Sequence, residues 1–158
     1  MKRTLTVLAL CVLAFPALAG IPAKSELGVS GNYVKPNGAG SIYSFDGQLA
    51  VPITKSGSVL LGPRLHYSSD RDTNAAGAVL EVNFLGSNKS GPYVGVTGLY
   101  NLRDVAGAER YTLDGNAGLK IAIGKGGSGF KVFAAKTVSG RGKDESNYTG
   151  NVGLLVRF

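Results

Sequence analysis

Tryptophan is absent from this chain, and cysteine, methionine and histidine occur once each. A single cysteine, Cys11, excludes an intramolecular disulfide, and a single histidine, His66, leaves a transition-metal centre almost no ligands to draw on. Beyond Phe15 there is no apolar run near the roughly 20 residues that a membrane-crossing helix needs, which excludes a helical span there. What is abundant is glycine, 24 residues, within a composition that is 44% hydrophobic. That combination suits an all-β domain, and the order of the residues has to decide which kind.

The N-terminus carries an address. Lys2 and Arg3 precede an apolar stretch from Leu5 to Phe15, then Pro16 and the small-residue pattern Ala17, Leu18, Ala19, which reads as a secretory signal peptide over 1–19, cut before Gly20. Leu10, rather than a small residue, precedes Cys11, which disfavours a lipoprotein site. Losing Lys2 and Arg3 takes the formal charge from +7 to +5 and leaves one mildly basic domain, 20–158, without cysteine.

From Glu26 onward the chain divides into eight segments of roughly ten residues, each bounded by Gly, Ser, Asn or Pro clusters, the length a tilted barrel wall requires. Several alternate with period two, as strands do when their faces meet different media. Leu27, Val29, Gly31 and Tyr33 oppose Glu26, Gly28, Ser30 and Asn32. Tyr43, Phe45, Gly47, Leu49, Val51 and Ile53 oppose Ser44, Asp46, Gln48 and Ala50. The third segment sets Val59, Leu61, Leu65 and Tyr67 against Gly62, Arg64, His66 and Ser68, with Pro63 inside it. The fourth sets Ala78, Leu80, Val82 and Phe84 against Gly77, Glu81 and Asn83. The sixth sets Leu113, Ala117, Leu119, Ile121 and Ile123 against Asp114, Asn116, Gly118 and Lys120. The last sets Tyr148, Gly150, Val152, Leu154, Val156 and Phe158 against Thr149, Asn151, Gly153, Leu155 and Arg157. The fifth, Tyr93 to Leu102, and the seventh, Phe130 to Val138, have ambiguous faces and are assigned by counting. The expected fold is all-β: an eight-stranded, antiparallel, up-and-down transmembrane β-barrel.

Connections and rings sort in the same way. Lys55 to Ser58, Gly86 to Pro92 and Gly124 to Gly129 form one set, short or flexible, with one lysine each; Lys35 to Gly40, Ser69 to Ala75, Arg103 to Glu109 and Ser139 to Ser146 carry most of the loop charge. The first set is expected at a periplasmic end and the second at the cell exterior. Tyr33, Tyr43, Tyr67, Tyr100, Tyr111 and Tyr148 fall at the outer ends of segments, and Phe84, Tyr93, Phe130 and Phe158 at the inner ends. Amphipathic rings settle at headgroup level, so these are two expected belts. The opposite faces deliver Glu26, Asp46, Glu81 and Asp114 with Arg64, Lys120, Arg157 and His66 into a lumen that eight strands leave only wide enough for side chains. Unpaired buried charge is too costly to persist, so a hydrogen-bonded plug is expected rather than a conduit.

The terminal Gly153, Leu154, Leu155, Val156, Arg157, Phe158 is similar to the C-terminal assembly signal of bacterial outer-membrane barrels, with Leu154, Val156 and Phe158 on the closing face. As a strand pattern, Glu26 to Phe158 resembles the small outer-membrane barrel superfamily of the OmpA transmembrane domain and OmpX. Leu27, Gly28, Val29, Ser30, Gly31, Asn32, Tyr33 and Gly91, Pro92, Tyr93, Val94, Gly95, Val96 resemble the YfaZ type. The resemblance implies outer-membrane embedding, insertion by the barrel assembly machinery, and contact with lipid and lipopolysaccharide. It implies no particular activity. No cofactor, metal or nucleic acid is expected, and the chain is expected to be a monomer.

Two further readings are carried. His66, Tyr67, Ser68 resemble the His-x-Ser element of outer-membrane lipid A deacylases, with Glu81 as a nominal orienting acid; here the element sits in the third segment, Ser69 stands where Asn is usual, and parity aims both groups inward. A soluble periplasmic ligand-binding barrel would invert every face. Gly124, Gly126 and Gly129 satisfy G-x-G-x-x-G but lead into a segment that reads as a strand. Asp70, Asp72 and Asn74 imitate a calcium loop in which Ala75 replaces the needed Gly. The signal reading predicts that intact-mass and N-terminal sequencing of the exported protein begin at Gly20, and that Ala19→Leu, which fills the small-residue site, leaves uncleaved precursor.

Overall fold

The computed structural model describes residues 21–34, 42–69, 73–102, 110–140 and 148–158. Eight strands run in chain order: β1 (Glu26–Val34), β2 (Ile42–Pro52), β3 (Val59–Ser68), β4 (Thr73–Asn83), β5 (Gly91–Asn101), β6 (Tyr111–Ala122), β7 (Gly129–Gly140) and β8 (Thr149–Arg157). Each pairs antiparallel with the next, and β8 returns to β1 through pairs such as Glu26 with Arg157 and Gly31 with Val152, so the sheet closes as an up-and-down barrel. Closure removes the two edges that an open sheet would leave with unpaired N–H and C=O groups. Among the described residues no helix is long and apolar enough to cross a membrane, a fact that bears on helices alone.

Strand bounds differ from the expected loops in four places, one being the start of β7 at Gly129. β4 starts at Thr73, β5 at Gly91, and β7 continues to Gly140, because ladder pairing absorbs residues whose composition alone suggests turns. Asp70, Asp72 and the expected outer loops 35–40, 103–109 and 141–146 lie outside the described residues.

Proline and glycine take meaningful places. Pro63 sits inside β3, facing outward, and has no N–H to give. The ladder toward β4 is continuous through Pro63 and Ala78, whereas toward β2 the paired positions skip from Arg64 to Leu61. The missing donor therefore falls on the β2 side. In β7, Val138 is passed over between Thr137 and Ser139 as they pair with Asp114 and Leu113, a one-residue bulge.

Neighbouring strands approach each other closely at two inward glycines. At Gly118 an added Cβ would lie 2.6 Å from the Phe133 Cβ and 2.7 Å from its Cα; at Gly77 it would meet Leu99 Cα at 2.9 Å. Both glycines face inward, and in each case the atom nearest the added carbon is a backbone carbonyl oxygen of the neighbouring strand, that of Val132 for the first and of Gly98 for the second, so the strands approach too closely there to admit a side chain. Gly118→Ala is therefore expected to destabilise the barrel by about 1–3 kcal/mol, the cost of overpacking. Gly126→Ala, in a turn with nothing within 4 Å of the added carbon, is expected to be neutral; urea unfolding followed by far-UV circular dichroism in detergent compares the two.

Candidate functional site

Period two, interrupted at the Val138 bulge in β7, runs along the strands and gives the barrel two unlike faces. Outside, Leu61, Leu65, Val94, Val96, Leu119, Ile121, Val152 and Leu154 are exposed. Inside, Glu26, Asp46, Arg64, Glu81, Lys120 and Lys131 are buried, together with Gln48, Asn116, Thr97 and Asn151. An apolar portion of the lumen, Leu60, Val79, Leu99 and Leu155, fills the spaces between them.

Near the end formed by the β2–β3, β4–β5 and β6–β7 turns, the charged side chains converge. Arg157 donates from Nε at 2.9 Å and Nη2 at 2.6 Å to Glu26 Oε1, while Lys120 donates to Glu26 Oε2 and, at 2.7 Å, to Glu81 Oε2. Lys131 donates to Glu81 Oε1, which also receives Gln48 Nε2 at 3.0 Å. Two carboxylates thus hold three cations. The surplus positive charge faces aromatic rings: Tyr93 lies 5.0 Å from Lys120 Nζ and 4.5 Å from Lys131 Nζ, and Phe133 lies 5.1 Å from Lys131 Nζ. Desolvated ammonium groups over ring faces gain electrostatic attraction that partly replaces lost hydration.

A second cluster stands nearer the loop end. Asp46 Oδ1 accepts Arg64 Nε at 3.0 Å and Nη2 at 2.8 Å and lies 3.0 Å from His66 Nδ1. Arg64 Nη1 donates to Thr97 at 3.0 Å. Asp114 is separate: it accepts Thr137 Oγ1 at 2.8 Å. The eight ionisable residues read from the sequence thus lie on inward faces, seven of them within these two clusters and Asp114 apart.

Two side chains were missed or misplaced by the sequence. Lys131 belongs to the turn-end cluster, and its signal was available: the short β6–β7 turn puts it opposite Lys120 in register, on the same face. Tyr93, expected in an aromatic belt, is instead 1% exposed in the lumen. The reason is the parity of β5, whose Gly91, Tyr93, Gly95, Thr97 and Leu99 share the inner face. Its ring packs 6.4 Å from that of Phe133 at 65°.

The other expected belt residues lie on the outer wall. Tyr33, Tyr100, Tyr111 and Tyr148 are exposed toward the loop end, and Tyr43 stands 6.1 Å from Tyr67 and 5.9 Å from Phe45. Phe84, Phe130 and Phe158 are exposed toward the turn end. Leu154 and Val156 share the outward face of β8 with Phe158.

The nominal hydrolase element is arranged otherwise than the sequence suggests. The acid beside His66 is Asp46, not Glu81, and the same Asp46 oxygen is taken by Arg64. Glu81 is occupied by two lysines. The G-x-G-x-x-G glycines lie in the β6–β7 turn and at the start of β7, a strand rather than the helix that a phosphate loop needs. Among the described residues no group of three or more His, Cys, Asp or Glu side chains is placed to hold a metal ion.

No protein-family model, curated protein or solved structure matches this chain.

Removing one member of a buried charge network leaves its partner uncompensated, at about 3–5 kcal/mol, whereas removing both can be nearly neutral. Glu81→Met is therefore expected to destabilise the barrel by about that amount, since Lys131 then keeps only Gln48 as a polar partner. Adding Lys131→Met should recover much of the loss, because Lys120 retains Glu26. Urea midpoints of both variants and the parent, measured in one detergent, test this; a double variant as unstable as the single would contradict it.

Proposed function

We propose that this barrel is an integral protein of the bacterial outer membrane, with a structural or surface-interaction role and a lumen closed by its own side chains. One observation carries the reading: the barrel is inside-out by the standard of a water-soluble protein, with charge buried within and a continuous apolar wall without. Contiguous apolar patches on soluble monomers rarely exceed a few hundred Å². Here Leu119, Ile121 and Ile123 are 52%, 45% and 58% exposed on one strand and its turn, and the neighbouring strands present the same kind of surface. Strands of 9 to 12 residues match a tilted crossing of a bilayer.

Several features support it. Exposed tyrosines, with Phe45 beside them, cluster at one rim and Phe84, Phe130 and Phe158 at the other, as headgroup-level rings would. The finer affinity, to barrels of the OmpA and OmpX kind, rests on the strand pattern and on Gly153 to Phe158, as do insertion by the assembly machinery and a monomeric state; the YfaZ type rests on Leu27 to Tyr33 and Gly91 to Val96, and the cleaved signal on residues 1–19. A soluble ligand carrier requires the reverse distribution of faces. A lipid A hydrolase requires its nucleophile to reach acyl chains, whereas His66 and Ser68 share the inner parity of β3. Outer-membrane lipid and lipopolysaccharide are the expected partners of the wall and loops, without cofactor, nucleic acid or catalysis.

The expected outcome is electrophoretic. Protein drawn from outer-membrane fractions should run in SDS as a compact band that shifts on boiling, and in planar bilayers it should give no steady conductance steps. A chain recovered soluble from the periplasm, with no shift, would overturn the proposal.

A further inference from the structure

The charge of the barrel is divided between its ends. Leaving aside Lys2 and Arg3, the other 15 of the chain's 17 basic residues and its 10 acidic residues separate along the sequence into two unequal sets. The loop-end half of the strands, with the segments that join them there, holds eight basic and eight acidic side chains. The turn-end half holds seven basic and two acidic. The entire net positive charge of the chain beyond its first twenty residues thus sits at one end.

Within that end, the lumen accounts for Lys120, Lys131 and Arg157 against Glu26 and Glu81. The rest is a ring of four exposed lysines: Lys24 just before β1, and Lys55, Lys89 and Lys125, one in each turn. The turn segments 53–58, 84–90 and 123–128, and the stretch 21–25, contain no Asp or Glu. Lys24 donates to the carbonyls of Lys55 and Ser56 at 2.9 and 3.1 Å, and Lys89 to those of Lys125 and Gly126 at 3.1 and 3.4 Å. These bonds tie the N-terminal stretch to one turn and a second turn to the third, so the ring is held in place. Carbonyl oxygens fix an ammonium group without cancelling its charge. Directly beneath the ring, Ile53, Phe84, Ile123, Phe130 and Phe158 face outward.

We propose that the turn end of the barrel is a binding surface for anionic glycerophospholipid, with the phosphates of the headgroups on the lysine ring and the acyl chains on the apolar band beneath it. A positive rim stacked directly on an apolar wall is complementary to a lipid whose negative charge lies directly above hydrocarbon. The loop end, balanced in charge, offers no such preference. The inference rests on the proposed outer-membrane reading, since the headgroups reach the ring only when the wall is in the bilayer. It names which lipid chemistry that wall selects, and at which end.

The test reconstitutes the full exported chain into vesicles of phosphatidylcholine alone and of phosphatidylcholine and phosphatidylglycerol in equal parts. A compact, heat-shifted band in phosphatidylcholine vesicles reads the barrel by itself. After extraction in non-ionic detergent, the lipid retained on the protein is quantified by mass spectrometry. Phosphatidylglycerol is expected to be enriched over its share of the vesicle, and the enrichment to vanish in high salt. A lysine near an anionic surface is worth roughly fivefold in binding, so Lys55→Gln with Lys125→Gln, whose side chains make none of the turn-tying bonds, should reduce the enrichment roughly 25-fold. Lys136→Gln, at the loop end, should leave it unchanged. A heat-shifted band with no phosphatidylglycerol enrichment would overturn this inference and leave the membrane reading standing, as would an enrichment lost with Lys136 instead. No compact band in either vesicle would overturn both. Association with an acidic wall polymer or protein in place of lipid would also overturn it.

Discussion

The carboxylate of Glu81 is the group on which the interior depends. It stands between Lys120 and Lys131, receives Gln48 as well, and is fully buried in a ring of eight strands too narrow to hydrate a lysine. Neither ammonium group would tolerate that place alone, because a desolvated charge costs several kcal/mol unless it is paired. Lys120 carries the constraint onward to Glu26, and Glu26 to Arg157, so strands β1, β4, β6, β7 and β8 are cross-linked through two acids. Two inward glycines serve the same network, since a Cβ at Gly95 would lie 3.2 Å from Glu81 Cγ and one at Gly28 would lie 3.1 Å from Gln48 Cγ.

Such a network also constrains register. A slip of one residue in any strand would carry its charged member to the outer wall and an apolar one inward, two penalties at once. The pairing of Glu26 with Arg157 across the β1–β8 seam is notable here, because it places an ion pair where the two ends of the sheet must find each other. Closure and charge compensation are thereby one event. Apolar contact alone would specify this seam less tightly, since one apolar residue replaces another at little cost, whereas a buried guanidinium accepts few alternatives to a carboxylate.

Strands β1, β2, β3, β4, β6 and β8 were readable because one face is polar wherever the other is apolar. β5 and β7 were not, and the reason is chemical. In β5 both faces mix glycine with apolar residues: Tyr93, Thr97 and Leu99 turn inward while Val94, Val96 and Tyr100 turn outward. In β7 both faces hold a lysine and a large apolar residue, Lys131 and Phe133 within, Lys136 and Val132 without, and the bulge at Val138 breaks the period near the loop end. Tyr93 was read as a belt ring because position along a strand is visible in the sequence, whereas inward or outward is visible only when the neighbours agree. Its interior place makes sense only with Lys120 and Lys131 present, a tertiary fact that no local pattern encodes.

A wall given over to apolar contact and a lumen given over to its own charges leave little of the chain free to recognise anything. On the proposed membrane reading, specificity falls to the two rims, and these are built differently. The turn rim is short, tied together by Lys24, Lys89 and Arg157, and carries one sign of charge. The segments that join the strands at the loop end carry both signs in their sequence, and exposed tyrosines stand at the strand ends beside them. A rigid surface of one sign suits a simple, repetitive partner, because selectivity there comes from charge density alone. Mixed charge suits partners that are told apart by arrangement, since opposite signs in a fixed pattern favour one complement and repel its permutations. The asymmetry follows from the short connections: tight turns admit only a few residues, and the charged ones among these are all lysine.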